Sequence, residues 1–164
     1  MNERRIVIRG LEKPGDLGWV VMTHGELYAE EFGWDGGFEA LVARIVADFA
    51  VGDAQRQAAW IAEEGEDRVG CVFCVPADKD TAQLRLLLVD PSARGEHVGG
   101  RLVDTCIDFA RSSGYRRLTL WTNDPLVAAR SVYVSRGFVL KSEEAHHSFG
   151  VDLVGQVYEL LLDA

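Results

Sequence analysis

The chain has 164 residues, 48% of them hydrophobic, and its 17 Lys and Arg stand against 26 Asp and Glu for a formal charge of −9. That length suits one domain with a sizeable core, and no apolar run reaches the roughly 20 residues that a bilayer crossing needs. The acidic balance disfavours nucleic acid and anionic membranes as partners.

The N-terminal segment Met1 to Arg9 lacks the apolar core and cleavage site of a signal peptide, so a cytoplasmic address is expected. Arg4 to Leu11 alternates apolar and polar residues and reads as a first strand. Asp16 to Phe32 reads as a helix, with Leu17, Val20, Val21, His24 and Tyr28 along one stripe. A second helix carries Phe38, Leu41, Val42, Ile45, Val46 and Phe49. The period then shortens. Gln57 to Glu63 and Arg68 to Ala77 read as a hairpin around Glu64-Gly65-Glu66-Asp67, and Thr81 to Val89 as a third strand stopped by Asp90-Pro91.

A helix is expected from about Val98 to Ser113, with Gly114 past its end. Leu118 to Trp121 is a strand. Asn123-Asp124-Pro125 reads as a cap and a first-turn proline for a helix carrying Leu126, Ala129, Val132 and Tyr133. Phe138 to Lys141 and Gln156 to Leu162 are the last strands, with His146 and His147 in a loop between them. The whole is a mixed α/β (α+β) domain over residues 1–164, in the order β-α-α-β-β-β-α-β-α-β-β.

Cys71, Cys74 and Cys106 are an odd number with no secretory signal, which argues against a disulfide framework. Cys71 and Cys74 have metal-like spacing, but residues three apart on a strand point to opposite faces. Buried small side chains are the preferred reading, and no metal site is expected.

The segment Leu88-Val89-Asp90-Pro91-Ser92-Ala93-Arg94-Gly95-Glu96-His97-Val98-Gly99-Gly100 runs from a central strand through small residues straight into a helix. A helix N-terminus has unpaired N–H groups and partial positive charge, and glycines allow close approach. The segment reads either as an anion cradle for a phosphate-bearing ligand or as an ordinary glycine-rich turn. It has no Gly-Lys-Ser/Thr end for a P-loop, and it follows a hairpin and a third strand rather than opening a dinucleotide fold.

Arg94 and Gly99 match the ends of an Arg/Gln-x-x-Gly-x-Gly/Ala loop, and Ala129, Tyr133, Gly137 and Phe138 match an Ala-x-x-x-Tyr helix followed by Gly-Phe. Ordered and spaced in this way, the two segments resemble the GNAT acetyltransferases, and the element order agrees with that family's fold of about six to seven strands and about four helices. Asp16-Leu17-Gly18-Trp19, His24 to Tyr28, Thr122-Asn123-Asp124 and His146 to Gly150 further resemble GNAT domains often fused to MarR-type regulators. The DNA-binding half has no counterpart in this sequence, and DNA binding is not carried over. His97 stands where the family loop has its inner glycine.

The resemblance implies acetyl-CoA as co-substrate and direct attack of an amine on the thioester. The pantetheine arm would lie along Leu87, Leu88 and Val89, and the phosphates against Arg94, Gly95, Glu96, His97, Val98, Gly99 and Gly100. Tyr133 would be the general acid for the departing thiolate. His24, Tyr28, Glu31, Trp121, Asn123, His146 and His147 are candidates for the acceptor side, each with a plain alternative as core, cap or solvated residue. The expected acceptor is a small-molecule amine rather than a protein. An acyl-CoA sensor without turnover and a protein N-acetyltransferase are the alternatives. The resemblance also allows a homodimer, since many relatives pair through edge strands or helices.

Overall fold

A computed structural model describes residues 5–162. Arg4, placed by its alternation in the first strand, lies outside the described residues. Strand β1 (Ile6–Gly10) precedes helices α1 (Asp16–Phe32) and α2 (Gly36–Ala50). Strands β2 (Ala58–Glu64), β3 (Asp67–Pro76) and β4 (Thr81–Val89) follow, then a short 3-10 turn at Pro91–Ala93. Helix α3 (Val98–Ser112), β5 (Arg117–Asn123), α4 (Val127–Ser135), β6 (Val139–Ser148) and β7 (Val151–Leu161) complete the order expected from the sequence.

The strands form one seven-stranded sheet in the order β1-β2-β3-β4-β5-β7-β6, antiparallel except between β4 and β5. On one face Val20 and Leu27 of α1 and Val42 and Val46 of α2 pack on Ile61, Cys71, Phe73 and Leu88. On the other, Leu102, Val103 and Cys106 of α3 and Tyr133 of α4 pack on Val72, Cys74, Leu84, Leu118, Leu120 and Tyr158. Cys71 and Cys74 therefore belong to opposite cores. Fully buried side chains such as Phe73, Ile61, Leu102 and Leu118 each contribute about 1.5–3 kcal/mol of transfer free energy.

Local chemistry sets the junctions. Gly33, at φ 72°, ends α1 with its N–H on the Ala29 carbonyl. Asp35 caps α2 by accepting from the Gly37 N–H. Asp16 is excluded from water at the start of α1, where its carboxylate accepts from Arg9, Arg68 and the N–H groups of Glu12 and Lys13. Burial pushes that carboxyl up, but these bonds outweigh it and hold it well below the usual carboxylate range.

One irregularity opens the sheet. Between the pairs Cys71↔Leu88 and Phe73↔Arg85, β4 carries one residue more than β3, and Leu86 has φ 57°. This is a β-bulge, which bends its strand. The β4–β5 pairing runs only from Thr81↔Arg117 to Leu84↔Leu120, so Arg85 to Val89 face β5 without a ladder partner.

Two sequence expectations are corrected. The segment Asn123-Asp124-Pro125 does not cap a helix: Asn123 ends β5, the Asp124 carboxylate accepts from the Val154 N–H, and α4 starts at Val127 with no side-chain cap. The sixth strand extends through His146 and His147 to Ser148, so these histidines lie on a strand and not in a loop. Pairing with β7 wins there over a polar sequence with little apolar alternation.

Candidate active site

A cleft of about 470 Å³ lies over the splayed edge, a size suited to a small-molecule or cofactor site. Leu87, Leu88 and Val89 form its floor, and Arg94, Gly95, His97, Val98, Gly99 and Gly100 its head. Glu96 is exposed and is not among the lining residues. Tyr28 and Glu31 of α1 stand on one side, and Pro125 to Ala129, Val132 and Arg136 on the other.

The head of the cleft is an open helix start. His97 precedes α3 without a side-chain cap, and the first turn carries no acidic residue. Its N–H groups are thus left for a ligand. His97 has φ 60° and ψ 21°, so it adopts the left-handed backbone that the family glycine would supply, with its side chain exposed. A Cβ on Gly100 would meet the Arg136 guanidinium. That absence of a side chain lets Arg136, held by Asp104, lie close to the start of α3. Arg94 pairs with Glu31 at 2.6 Å across the mouth.

Tyr133 lies beneath the cleft rather than in its lining, 5% exposed and packed on Phe138 with ring centroids 5.7 Å apart. Burial, then the neighbouring Tyr28 and Cys106 groups, pushes its phenol above the ordinary range. Tyr28 is shifted up as well, first by burial and then by Cys71 and Glu31. Both phenols therefore hold their protons at neutral pH.

The other acceptor-side candidates separate into three places. His24 is buried between Tyr28 and Phe38, its Nδ1 2.8 Å from the Val20 carbonyl and its Nε2 without a partner. Burial pushes its imidazole down to about 4. Asn123, His146 and Trp121 meet on the helix α1/α2 side of the sheet. The Nε2 of His146 is 2.8 Å from Asn123 Oδ1, its Nδ1 is 2.8 Å from Ser148 Oγ, and its ring lies 5.4 Å from the Trp121 ring. His147 points to the opposite face and pairs with Asp152 at 2.8 Å, so the histidine pair does not act as one group.

Several contributors escaped the sequence reading. The β6–β7 hairpin tip folds over the start of α2. Phe149, at φ 57°, accepts a bond from the Asp35 N–H and packs on Trp34 and Phe38 with centroids 5.2 Å from each. This docking ties the β6–β7 hairpin to the start of α2. Arg136 carried no signal beyond its place before Gly137. Among the described residues no group of three or more His, Cys, Asp or Glu is arranged to hold a metal ion, and no helix is long and apolar enough to cross a membrane.

A mixed sheet splayed at a bulged central strand, with an anion-binding helix start beside the opening, defines a protein that holds an extended phosphate-bearing ligand against its sheet. The model of the acetyltransferase (GNAT) family matches residues 22–138, and the chain belongs to that family, whose co-substrate is acetyl-CoA. Human N-acetyltransferase 8B is 36% identical over 93 residues, which are 54% of this chain and 41% of that protein; the match thus spans less than half of the relative's length. The fold is shared with an N-acetyltransferase from Staphylococcus aureus Mu50, at TM-score 0.79 and 20% identity over 97% of this chain and 99% of that one. It is shared also with Salmonella typhimurium yncA, solved with acetyl-CoA, at TM-score 0.75 and 18% identity over 96% of this chain and 94% of that one.

Proposed function

We propose that this protein transfers an acetyl group from acetyl-CoA to the amine of a small molecule, with Tyr133 as general acid. The observation that carries the reading is the cleft itself, where an unpaired β4 edge meets an uncapped α3 N-terminus beside a phenol that keeps its proton. These residues fit the co-substrate. The α3 amides with Gly95, His97, Gly99 and Gly100 would hold the phosphates, aided by Arg94 and Arg136. The free edge of Leu87 to Val89 would hold the pantetheine arm by main-chain bonds. Acetyl-CoA supplies a thioester acyl group; the protein supplies a proton to the departing sulfur from Tyr133 and orients the acceptor.

The acceptor side is the space beside Trp121, Asn123 and His146. With Asn123 Oδ1 accepting from His146 Nε2–H, the Nδ1 atom accepts from the Ser148 hydroxyl. His146 thus takes the proton of an incoming ammonium through Ser148. His24 is left to the core, since its Nδ1–H is committed to Val20 and burial disfavours its charged form. The Phe149 hairpin tip, docked on Trp34 and Phe38 beside these residues, supports a small acceptor over a protein segment. Three buried free thiols suit a reducing cytoplasm.

Titration with acetyl-CoA by calorimetry, followed by mass analysis of an amine panel, tests the reading. Binding with an acetylated amine supports it. Binding with no product on any amine moves it to a sensor without turnover, and absence of binding removes the co-substrate assignment.

A further inference from the structure

Arg85 lies one residue before the Leu86 bulge, at the base of the splay. It pairs in register with Phe73, whose side chain belongs to the α1/α2 core, so Arg85 points to that same face. The parallel register ends at Leu84↔Leu120, and the next residue of each strand, Arg85 and Trp121, continues it on the acceptor side. Trp121 is 49% exposed and leans over Gly155 of β7, where an added Cβ would come within 2.9 Å of the indole.

Four arginines at or beside the sheet are committed. Arg9 and Arg68 hold Asp16, Arg136 holds Asp104, and Arg94 holds Glu31. Arg85 is half-buried, yet its guanidinium makes no hydrogen bond and no ion pair with any described residue. Asp48 of α2 acts on it only at longer range. A partly desolvated guanidinium left open beside a site is poised for an anionic ligand.

We propose that Arg85 binds a carboxylate of the acceptor, so that the amine acetylated here belongs to a free amino acid. This rests on the acetyltransferase reading and specifies its substrate. A carboxylate suits the planar guanidinium fork bidentately. Asp48 and Glu159 lie on the same face, and that negative surrounding suits a singly charged group better than a phosphate dianion. Trp121 offers an apolar wall for the acceptor's side chain.

The test compares matched pairs, phenylalanine with 2-phenylethylamine and leucine with 3-methylbutylamine, as acceptors for the full chain and for Arg85→Met and Arg85→Lys. Acetyl-CoA titration of each protein checks the fold and the co-substrate site separately. The amino acids are expected to exceed their decarboxylated partners in kcat/KM by about tenfold or more. Arg85→Met should shrink that ratio by a similar factor, through KM, and Arg85→Lys should restore part of it. A ratio near one in the native protein, a ratio unchanged by Arg85→Met, or no amino acid accepted while acetyl-CoA binds would each overturn the assignment. Loss of acetyl-CoA binding by the native protein would instead remove the acetyltransferase reading on which it stands.

Discussion

The Arg94 guanidinium lies 2.6 Å from the Glu31 carboxylate, tying the last turn of α1 to the loop that leads into α3. Both residues line the cleft, and their partnership sets a charge balance at its mouth. In the proposed site an anionic co-substrate competes with Glu31 for Arg94. Glu31→Gln should therefore tighten acetyl-CoA binding by about two- to fivefold at low salt, with the gain fading as salt rises. Arg94→Ala should weaken it by about tenfold. Calorimetric titration at two ionic strengths reads both effects; tighter binding in Arg94→Ala would remove this residue from the phosphate site.

His97 holds a left-handed backbone without being glycine. That conformation costs an L-residue about 1–2 kcal/mol, partly offset because glycine is more disordered when unfolded. His97→Gly should raise stability by about 1 kcal/mol in urea unfolding and leave acetyl-CoA affinity within about twofold of the native value. A destabilised glycine variant would mean that the imidazole makes a contact worth more than the strain.

Acid should destabilise the fold through His24. Burial lowers its pKa from 6.5 to about 4 in the folded state, so the unfolded chain takes up the proton first. Stability is complete above pH 6.5 and falls as pH drops from there toward about 4. The loss through this one group is about 3 kcal/mol over that window. Urea unfolding of the native protein and of His24→Gln, at pH 7 and pH 4.5, checks it. The variant should show a clearly flatter pH dependence, and equal slopes would contradict a neutral buried imidazole.

His146 is bonded at both ring nitrogens, to Asn123 and to Ser148, which fixes its orientation as a proton acceptor requires. His146→Gln should lower kcat by about a hundredfold with little change in acetyl-CoA affinity. Added imidazole should recover part of the rate. Full activity in the variant would assign the deprotonation elsewhere.

The regular elements were legible wherever burial imposed a period. Helix α1 and strand β4 begin and end at the residues their patterning marked, Asp16 to Phe32 and Thr81 to Val89. Leu84 and Val20 fill cores where the alternation and the helical stripe placed them, whereas Leu88, four residues from Leu84, lies in the opposite core. The bulge was invisible, because in the run Leu86-Leu87-Leu88 a change of face leaves no mark in residue type. The long β6 was missed for the opposite reason. Lys141 to Ala145 are exposed, so no apolar alternation announces the strand. Asn123-Asp124-Pro125 has the composition of a helix cap, but Asn123 pairs opposite Gly155 and Asp124 binds the Val154 N–H. Arg85 was passed over because an isolated arginine in a strand carries no spacing signal; only the missing partner marks it.

In the proposed reaction Tyr133 protonates the departing thiolate while an amine is acetylated in the cleft. The most direct test is the rate of amine-dependent CoA-thiol release by the native protein and by Tyr133→Phe, at saturating acetyl-CoA. In Tyr133→Phe kcat should fall by about a hundredfold or more, with acetyl-CoA affinity preserved. Release at the native rate by Tyr133→Phe, with the phenol gone, would contradict it.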